Sequence, residues 1–584
     1  MEQQKKFYAR VSETVPQEFK GLQANGCKNP NCANFCQDPH DYDLSTLDIR
    51  KGSNPYYKIS GTGRNAPHLQ CRVCNEITPI KSNEGIVEEE IHLSSYLQMP
   101  EFSCTNPNCS NNLISVAQDP KLYKRHGQTN GNSRYQCKLC KKTFSTSSKR
   151  RKHRRSEINK SFFKLLVNKT VMRRTCEILE ISSKTYFDKL DWLYGQARSF
   201  LRNRESRLIR GVGLSKVGIC TDRQVHISNW SDRTDKRNVE IWATGSADNI
   251  TGYVFGVHFN YDPHIDRRSA EIAASQVNPA VTPAHLLPHA RLWLKRDFDH
   301  ELTVENHIPV QGLSNLENTT FEQSEILDGT TQLPKSGALV HSEYSMYAHF
   351  LLLSKLLGKV DTVHYSLDRE AGIRNAFMTA NQARIKSGEV HGFYVKNTTG
   401  MTVDEKEDLV KVFYKEFRIV AGKTYRKSTA KERHDTVIRM ILGRMSNLQE
   451  IPNSKESWLL HPHSSMPEPQ KLVAALTPIS HLALNSQAEL YKTASLAAID
   501  RFFMFARRRI SLLERSKSVA ANDRRKWHGY SAYNPYSYIK VMEIARLYFN
   551  YCLKAKDGTT AAMRLGLAKS PIKPEGVVYH ERED

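Results

Sequence analysis

The feature that most constrains this chain is a duplicated set of cysteine pairs. Nine of its 12 cysteines lie in the first 140 residues, and eight of them form two sets: Cys27–Cys32 with Cys71–Cys74, then Cys104–Cys109 with Cys137–Cys140. The flanking phrases repeat as well, CKNPNCANF against CTNPNCSNN and HLQCRVC against RYQCKLC, as tandem copying of one small unit would leave them. Two close pairs separated by a longer loop supply four thiolates in a tetrahedron, the closed geometry of structural Zn²⁺. A unit of about 50 residues has little core of its own, so metal binding would provide much of its folding free energy. Pro30 and Pro107, each between asparagines, suit the turn joining the first two ligands. Cys36 has no counterpart, because Leu113 stands in the equivalent place, and it is read as spare. Two structural zinc sites are therefore expected, in residues 1–90 and 91–148.

At 584 residues the chain is several times the size of one domain, which is about 150 residues. Its 85 Lys and Arg against 61 Asp and Glu leave a net charge of +24, the sign expected for a polyanionic partner. The N-terminus lacks the apolar core of a secretion signal, and no apolar run is long enough to span a bilayer. A cytoplasmic nucleic-acid binder with no membrane association is expected.

Directly after the second cysteine unit comes KKTFSTSSKRRKHRR. Lys149, Arg150, Arg151, Lys152, Arg154 and Arg155 there suit sequence-independent phosphate contacts, although a solvated linker would carry the same composition. Residues 157–201 then show helical periodicity with a break at Ile181-Ser182-Ser183. The spacing predicts three helices, with Ser182 or Ser183 capping the third. In a helix-turn-helix over 149–205, that helix would carry Lys184, Thr185 and Lys189 toward the major groove. Glu180 occupies the turn position where glycine is common.

From residue 216 the pattern changes to strands: KVGICTDRQVHISNW, NVEIWATGSADN and TGYVFGVHFNY, the last two joined by a turn at Asp248-Asn249. After a loop-rich stretch of about 262–337 come helix HSEYSMYAHFLLLSKLLGK, strand VDTVHYSLD, helix REAGIRNAFMTANQARIKS and strand VHGFYVKN. Three antiparallel strands followed by helix, strand, helix and strand is the order of a ribonuclease-H-like α/β domain with a mixed sheet. It is expected over 212–520, with insertions at about 262–337 and 398–485. Residues 521–584 read as a C-terminal helical segment rich in basic and aromatic residues. The whole is an α+β multidomain chain.

On the phrases QVHISNWSDRTDKRNVEIWATGSADNITGYVFGVHFNYDP, YSLDREAGIR, DRFFMFARRR and TTAAMRLGLA, the chain resembles DDE transposases of bacterial insertion sequences that carry zinc ribbons and a helix-turn-helix ahead of the catalytic domain. The resemblance covers roughly residues 20–570. It implies binding to the element's terminal repeats, then metal-dependent DNA cleavage and strand transfer by at least a dimer in the bacterial cytoplasm, at the nucleoid. Two Mg²⁺ or Mn²⁺ ions would be held by three carboxylates from distant segments, since hard cations select oxygen ligands. Asp222 in the first strand and Asp368 at the end of the fourth fit the first two. The third belongs on a late helix followed by basic residues. Asp500 has that setting but is Asp where the family has Glu, Glu514 has the usual residue type, and Glu489 is a further alternative. Arg507 and Arg508 are candidate phosphate contacts, and RRKWHGYSAYNPYSY could stack on unpaired bases or bury under the catalytic helix. Two rivals stay open: a nuclease of the same fold without joining, and an inactive DNA-binding regulator.

Overall fold

The computed structural model describes residues 11–42, 54–60, 67–98, 102–106, 109–116, 119–129, 132–145, 155–230, 234–277, 282–299, 331–398, 400–452, 454–518 and 526–580. Two N-terminal units come first, each a three-stranded antiparallel sheet. One is built from Tyr57–Ser60, His68–Cys71 and Ile77–Pro79, the other from Tyr123–Thr129, Asn132–Cys137 and Thr143–Ser145. Between them runs helix α1, Asn83–Ser94, capped by Ser82, whose Oγ accepts from the Gly85 N–H.

Three helices follow as the periodicity predicts: α2 Asn159–Leu166, α3 Met172–Ile178 and α4 Ser183–Arg210. Ser182 caps α4, its Oγ accepting from Thr185 N at 3.2 Å. Glu180 takes φ +50° in the turn before it, a left-handed conformation unusual for a residue with a side chain.

The centre of the molecule is one mixed sheet of eight strands. β1 Lys216–Ser228, β2 Val239–Asp248 and β3 Val254–Phe259 form an antiparallel meander. Helix α5, Ser342–Leu356, leads to β4 Thr362–Asp368, and α6, Ala371–Ala380, leads to β5 Val390–Asn397. β4 lies parallel to β1 and β5 parallel to β4. Both helical crossovers thus return the chain in the β1 direction, as parallel pairing requires.

The 398–485 insertion holds two helices, α7 Val403–Ala421 and α8 Ala430–Met445, each opened by a Thr/Glu capping box. It also holds three short strands that the sequence reading missed. β6 Gln449–Glu450, β7 Ser457–Leu460 and β8 Lys471–Ala475 extend the sheet beyond β5, giving the order β6-β7-β8-β5-β4-β1-β2-β3. This segment is therefore partly sheet edge rather than a separate excursion.

Helices α9 Leu484–Thr493, α10 Ala497–Arg509 and α11 Tyr536–Leu547 complete the core. Opposite faces of β1 and β2 receive different helices. His349 of α5 hydrogen-bonds Ser246, whereas α10 covers the face of Gly245. Among the described residues, no helix is long and apolar enough to cross a membrane.

Candidate functional site

Pairing and packing bring three carboxylates together. Thr221 of β1 pairs with Leu367 of β4, which sets Asp222 and Asp368 at one level on neighbouring parallel strands. Asp500 lies in the first turn of α10. Its approach depends on Gly245, the β2 partner of Asp222. A Cβ at Gly245 would stand 2.8 Å from both Ile499 and Phe503 of α10, so a side chain there would lift the helix. With glycine in place, Asp500 comes near enough to Asp222 for each carboxyl to shift the other's titration.

The electrostatics of this cluster are those of negative charge that Arg507 offsets only in part. Burial pushes the Asp222 carboxyl well above the usual range, and the charges of Asp368 and Asp500 push it further, against the Arg223 N–H that Asp222 accepts. Burial also raises Asp368 and Asp500, and Glu468 and Asp368 add to the rise at Asp500. A structural ion pair would shift these groups the other way. Three half-buried carboxylates thus repel one another, but their oxygens do not draw within 4.8 Å of one another as the sulfurs of each cysteine set do.

Comparison with known protein families and with curated proteins finds no match for this chain.

Of the other two candidates for a third acid, Glu514 lines one cavity with Asp222 and Asp500, while Glu489 sits elsewhere. Glu514 lies past the end of α10, paired with Lys169 at 3.0 Å. Glu489 on α9 pairs with His434 at 2.5 Å. Sequence reasoning did not single out Glu468. Its buried carboxylate accepts from Lys471 Nζ at 2.9 Å, Ser495 Oγ at 2.8 Å and Leu496 N at 2.9 Å, and so fixes the entry to α10. It lies in a loop without local periodicity, so nothing in the sequence marks it.

A cavity of about 410 Å³ opens beside Asp222 and Asp500. Arg507 lines it, while Arg508 is exposed. Downstream, Tyr538 is buried and donates to the Ile227 carbonyl at 2.6 Å, whereas Tyr530 and Tyr533 are exposed. The aromatic segment thus divides between core and surface.

The eight cysteines form two groups, each with all four sulfurs within 4.8 Å of one another. Sγ–Sγ distances are 3.4 Å for Cys27–Cys74 and 3.7 Å for Cys32–Cys71, against 3.3 Å for Cys104–Cys140 and 3.8 Å for Cys109–Cys137. The duplication extends to the supporting hydrogen bonds. Asn34 donates to Cys71 Sγ as Asn111 does to Cys137 Sγ. Tyr57 accepts from Cys27 N as Tyr123 does from Cys104 N. Asn75 and Lys141, each following a last ligand, both take φ near +60°. Burial pushes Cys104 up to about 12. At Cys137, the N–H groups of Cys140 and Leu139 and the Asn111 amide outweigh burial and hold the thiol at about 6. Four sulfurs at tetrahedral spacing with preset N–H donors suit Zn²⁺, and each group can form a zinc ribbon. Cys36 stays outside the cluster, and Pro107 lies outside the described residues.

Of the candidate DNA contacts, Lys149, Arg150, Arg151, Lys152 and Arg154 lie outside the described residues. Arg155 is exposed and donates to the Glu180 carbonyl at 2.8 Å. Lys184 is exposed and Thr185 half-buried. Lys189 needs correction. It is only 3% exposed, and its ammonium donates to the Arg155 carbonyl at 2.7 Å and to Asn159 Oδ1 at 2.6 Å. It ties α4 to the start of α2 and is not presented to a groove.

Proposed function

We propose that the chain is a DDE-type transposase with an all-aspartate triad, Asp222, Asp368 and Asp500. The carrying observation is the approach of these half-buried carboxylates from β1, β4 and α10, close enough to repel one another. The strand order β3-β2-β1-β4-β5, antiparallel and then parallel, supports a ribonuclease-H-like reading of the central domain. The cysteine units, the helices around Ser182 and the net charge of +24 support a duplex-DNA substrate, with element ends and target as its two forms.

On this reading Asp222, Asp368 and Asp500 would hold two Mg²⁺ or Mn²⁺ ions, whose positive charge would favour attack on a phosphodiester and departure of its leaving oxygen. The chain's own part is positional. β1 and β4 hold two of the acids in register, Gly245 admits α10, and Glu468 fixes the start of that helix so that Asp500 faces Asp222. Arg507 stands near Asp222 and Asp500, where a substrate phosphate would pass. Joining two DNA ends calls for at least a dimer.

The test is cleavage of DNA carrying the element ends by the full-length protein with Mg²⁺. Nicking at the end followed by joined product is expected, with Asp222→Asn, Asp368→Asn and Asp500→Asn each abolishing both steps while end binding persists. Cleavage without joining would favour a nuclease, and end binding with no cleavage under any divalent ion would favour a regulator.

A further inference from the structure

The cavity beside the acids carries polar atoms that neither the fold nor the proposed metal chemistry uses. Asp222, Gln224 and His226 alternate along β1 and so share the sheet face that α10 covers. All three line the cavity. Gln224 is 9% exposed and His226 4%, yet Gln224 Oε1 and His226 Nε2 have no hydrogen-bond partner. Buried polar groups are paired in the large majority of cases, and unpaired ones call for an account. Here two lie on one strand face, in one cavity, beside one acidic cluster.

The rest of the wall indicates what would pair with them. Trp242 and Phe503 give the cavity aromatic surface. Arg507 and Arg515 bring guanidinium groups to it, and Arg507 makes no ion pair among the described residues. With a rise of about 3.4 Å per strand residue, Gln224 and His226 stand about 7 and 14 Å from Asp222. A ligand anchored by phosphate near Asp222 and Arg507 would therefore lay a polar, planar group against Gln224 and His226. The volume of about 410 Å³ is within the range of small-ligand pockets, about 300–1,000 Å³.

We infer that this cavity seats one unpaired nucleotide of the substrate strand, its phosphate toward Asp222 and Arg507 and its base edge against Gln224 and His226. This rests on the transposase reading for the identity of the strand. It adds that the nucleotide next to the reacting phosphate leaves its duplex and is read by a carboxamide, which offers both a donor and an acceptor to a base edge.

Binding measured without divalent metal separates this inference from catalysis. The full-length zinc-loaded protein is titrated with a single-stranded oligonucleotide bearing one 2-aminopurine, with the same oligonucleotide fully paired, and with the four deoxynucleoside monophosphates and inorganic phosphate as competitors. The single-stranded probe should change fluorescence on binding, and at least one monophosphate should compete about 10-fold better than phosphate. Gln224→Leu should weaken that monophosphate about 10-fold and leave phosphate unchanged, as loss of one base-edge contact predicts. Arg507→Gln should weaken both alike. Monophosphates that compete no better than phosphate on the unmodified protein would overturn the inference whether or not the variants fold, as would a folded Gln224→Leu with unaltered preference. Nucleotide binding that survives in a chain unable to cleave would uphold the pocket and remove the transposase. Cleavage by a chain indifferent to nucleotides would do the reverse.

Discussion

Arg546 and Glu205 form an ion pair closed off from water: Arg546 Nη1 lies 2.6 Å from Glu205 Oε1, with side chains 2% and 0% exposed. Glu205 belongs to α4 and Arg546 to α11, and the pair is hydrogen-bonded on every side. Tyr96 and Tyr253 donate to the carboxylate at 2.6 and 2.7 Å, while the guanidinium also reaches Glu543 and the Phe255 carbonyl. One cluster thereby ties the segment after α1, the long helix α4, the edge of the central sheet and the C-terminal helix. Breaking a buried pair strands one charge, at a cost of about 3–5 kcal/mol. Arg546→Met should lower unfolding stability by that order in urea titration. Arg546→Met with Glu205→Leu should recover part of the loss, because only Glu543, at 17% exposure nearer to water, then lacks its partner. A single variant with unchanged midpoint would show that the cluster opens to solvent.

The zinc groups predict a stoichiometry. The intact chain should release two zinc ions when its thiols are modified, and Cys104→Ser with Cys109→Ser should release one. Cys36→Ser should still release two, since Cys36 stands apart from both clusters. A chain that releases two after loss of Cys104 and Cys109 would rule out the second site.

The two halves of the molecule differ in how far their chemistry was legible. Cys27 to Cys74 and Cys104 to Cys140 could be read because ligand pairs are fixed by local turns, and local geometry writes itself into spacing. Asp222 and Asp368 were readable only once β1 and β4 were identified as strands, and Asp500 only as a helix position. What joins them, the missing side chain at Gly245, is a packing fact with no local signature. Lys189 shows the opposite failure. Periodicity placed it on α4, but not which face α2 would cover. The strands from Gln449 to Ala475 were missed because segments of two to five residues carry too little alternation to register. Gln224 and His226 did have a signal, the period-two spacing from Asp222, which becomes informative only when β1 is known to face a cavity.

Acid should destabilise the fold through its buried histidines. Burial holds His226, His258 and His364 at about 3 and His349 and His461 well below their ordinary value. The unfolded chain, with histidines near 6.5, binds more protons below that pH, so stability is full above it and falls as pH drops from about 6.5 toward the folded values. Each such group contributes up to about 1.4 kcal/mol per pH unit in that window. The raised carboxyls of Asp222, Asp368, Asp500 and Glu370 and the raised imidazole of His92 act in the opposite sense, but the histidines held low outnumber them, since His68, His285, His341, His391 and His463 are also lowered by burial. Urea midpoints should fall steeply between pH 6.5 and 5. A flat profile would mean that these imidazoles reach water.

Gly245 should be the least replaceable residue near the acids that is not itself an acid. Gly245→Val would drive side-chain atoms into Ile499 and Phe503, and overpacking of this kind costs about 1–3 kcal/mol. The larger consequence is geometric, because α10 would tilt away and carry Asp500 from Asp222. Cleavage should fall by at least about 100-fold, the scale attached to a misplacement of about 1 Å, while zinc content and end binding stay unchanged. Activity within a few-fold of the unmodified protein would show that Asp500 need not lie against Asp222, and would return the third-acid role to Glu514.

Removing charge from the acidic cluster should stabilise the metal-free fold while it destroys activity. Three carboxylates share a mostly buried site in which burial and mutual repulsion disfavour ionisation of Asp222 above all. At pH 7.5, Asp222→Asn removes the most strained of these charges and keeps side-chain size and a hydrogen-bonding group toward Asp500. Without divalent ions its melting temperature should rise by on the order of 1–2 °C, because about 1 kcal/mol shifts a domain of about 150–250 residues by about 2–4 °C and a larger one by less. Mg²⁺ should then reverse the ranking. The unmodified protein gains stability by mass action as the ion binds its folded state, and the variant, short of one oxygen anion, gains less. Ser366→Ala, on the same strand as Asp368, makes a control in which the response to Mg²⁺ should persist. If Asp222→Asn melts lower than the unmodified protein without metal, the carboxylates are already neutralised by some other means, and they are not poised for a cation.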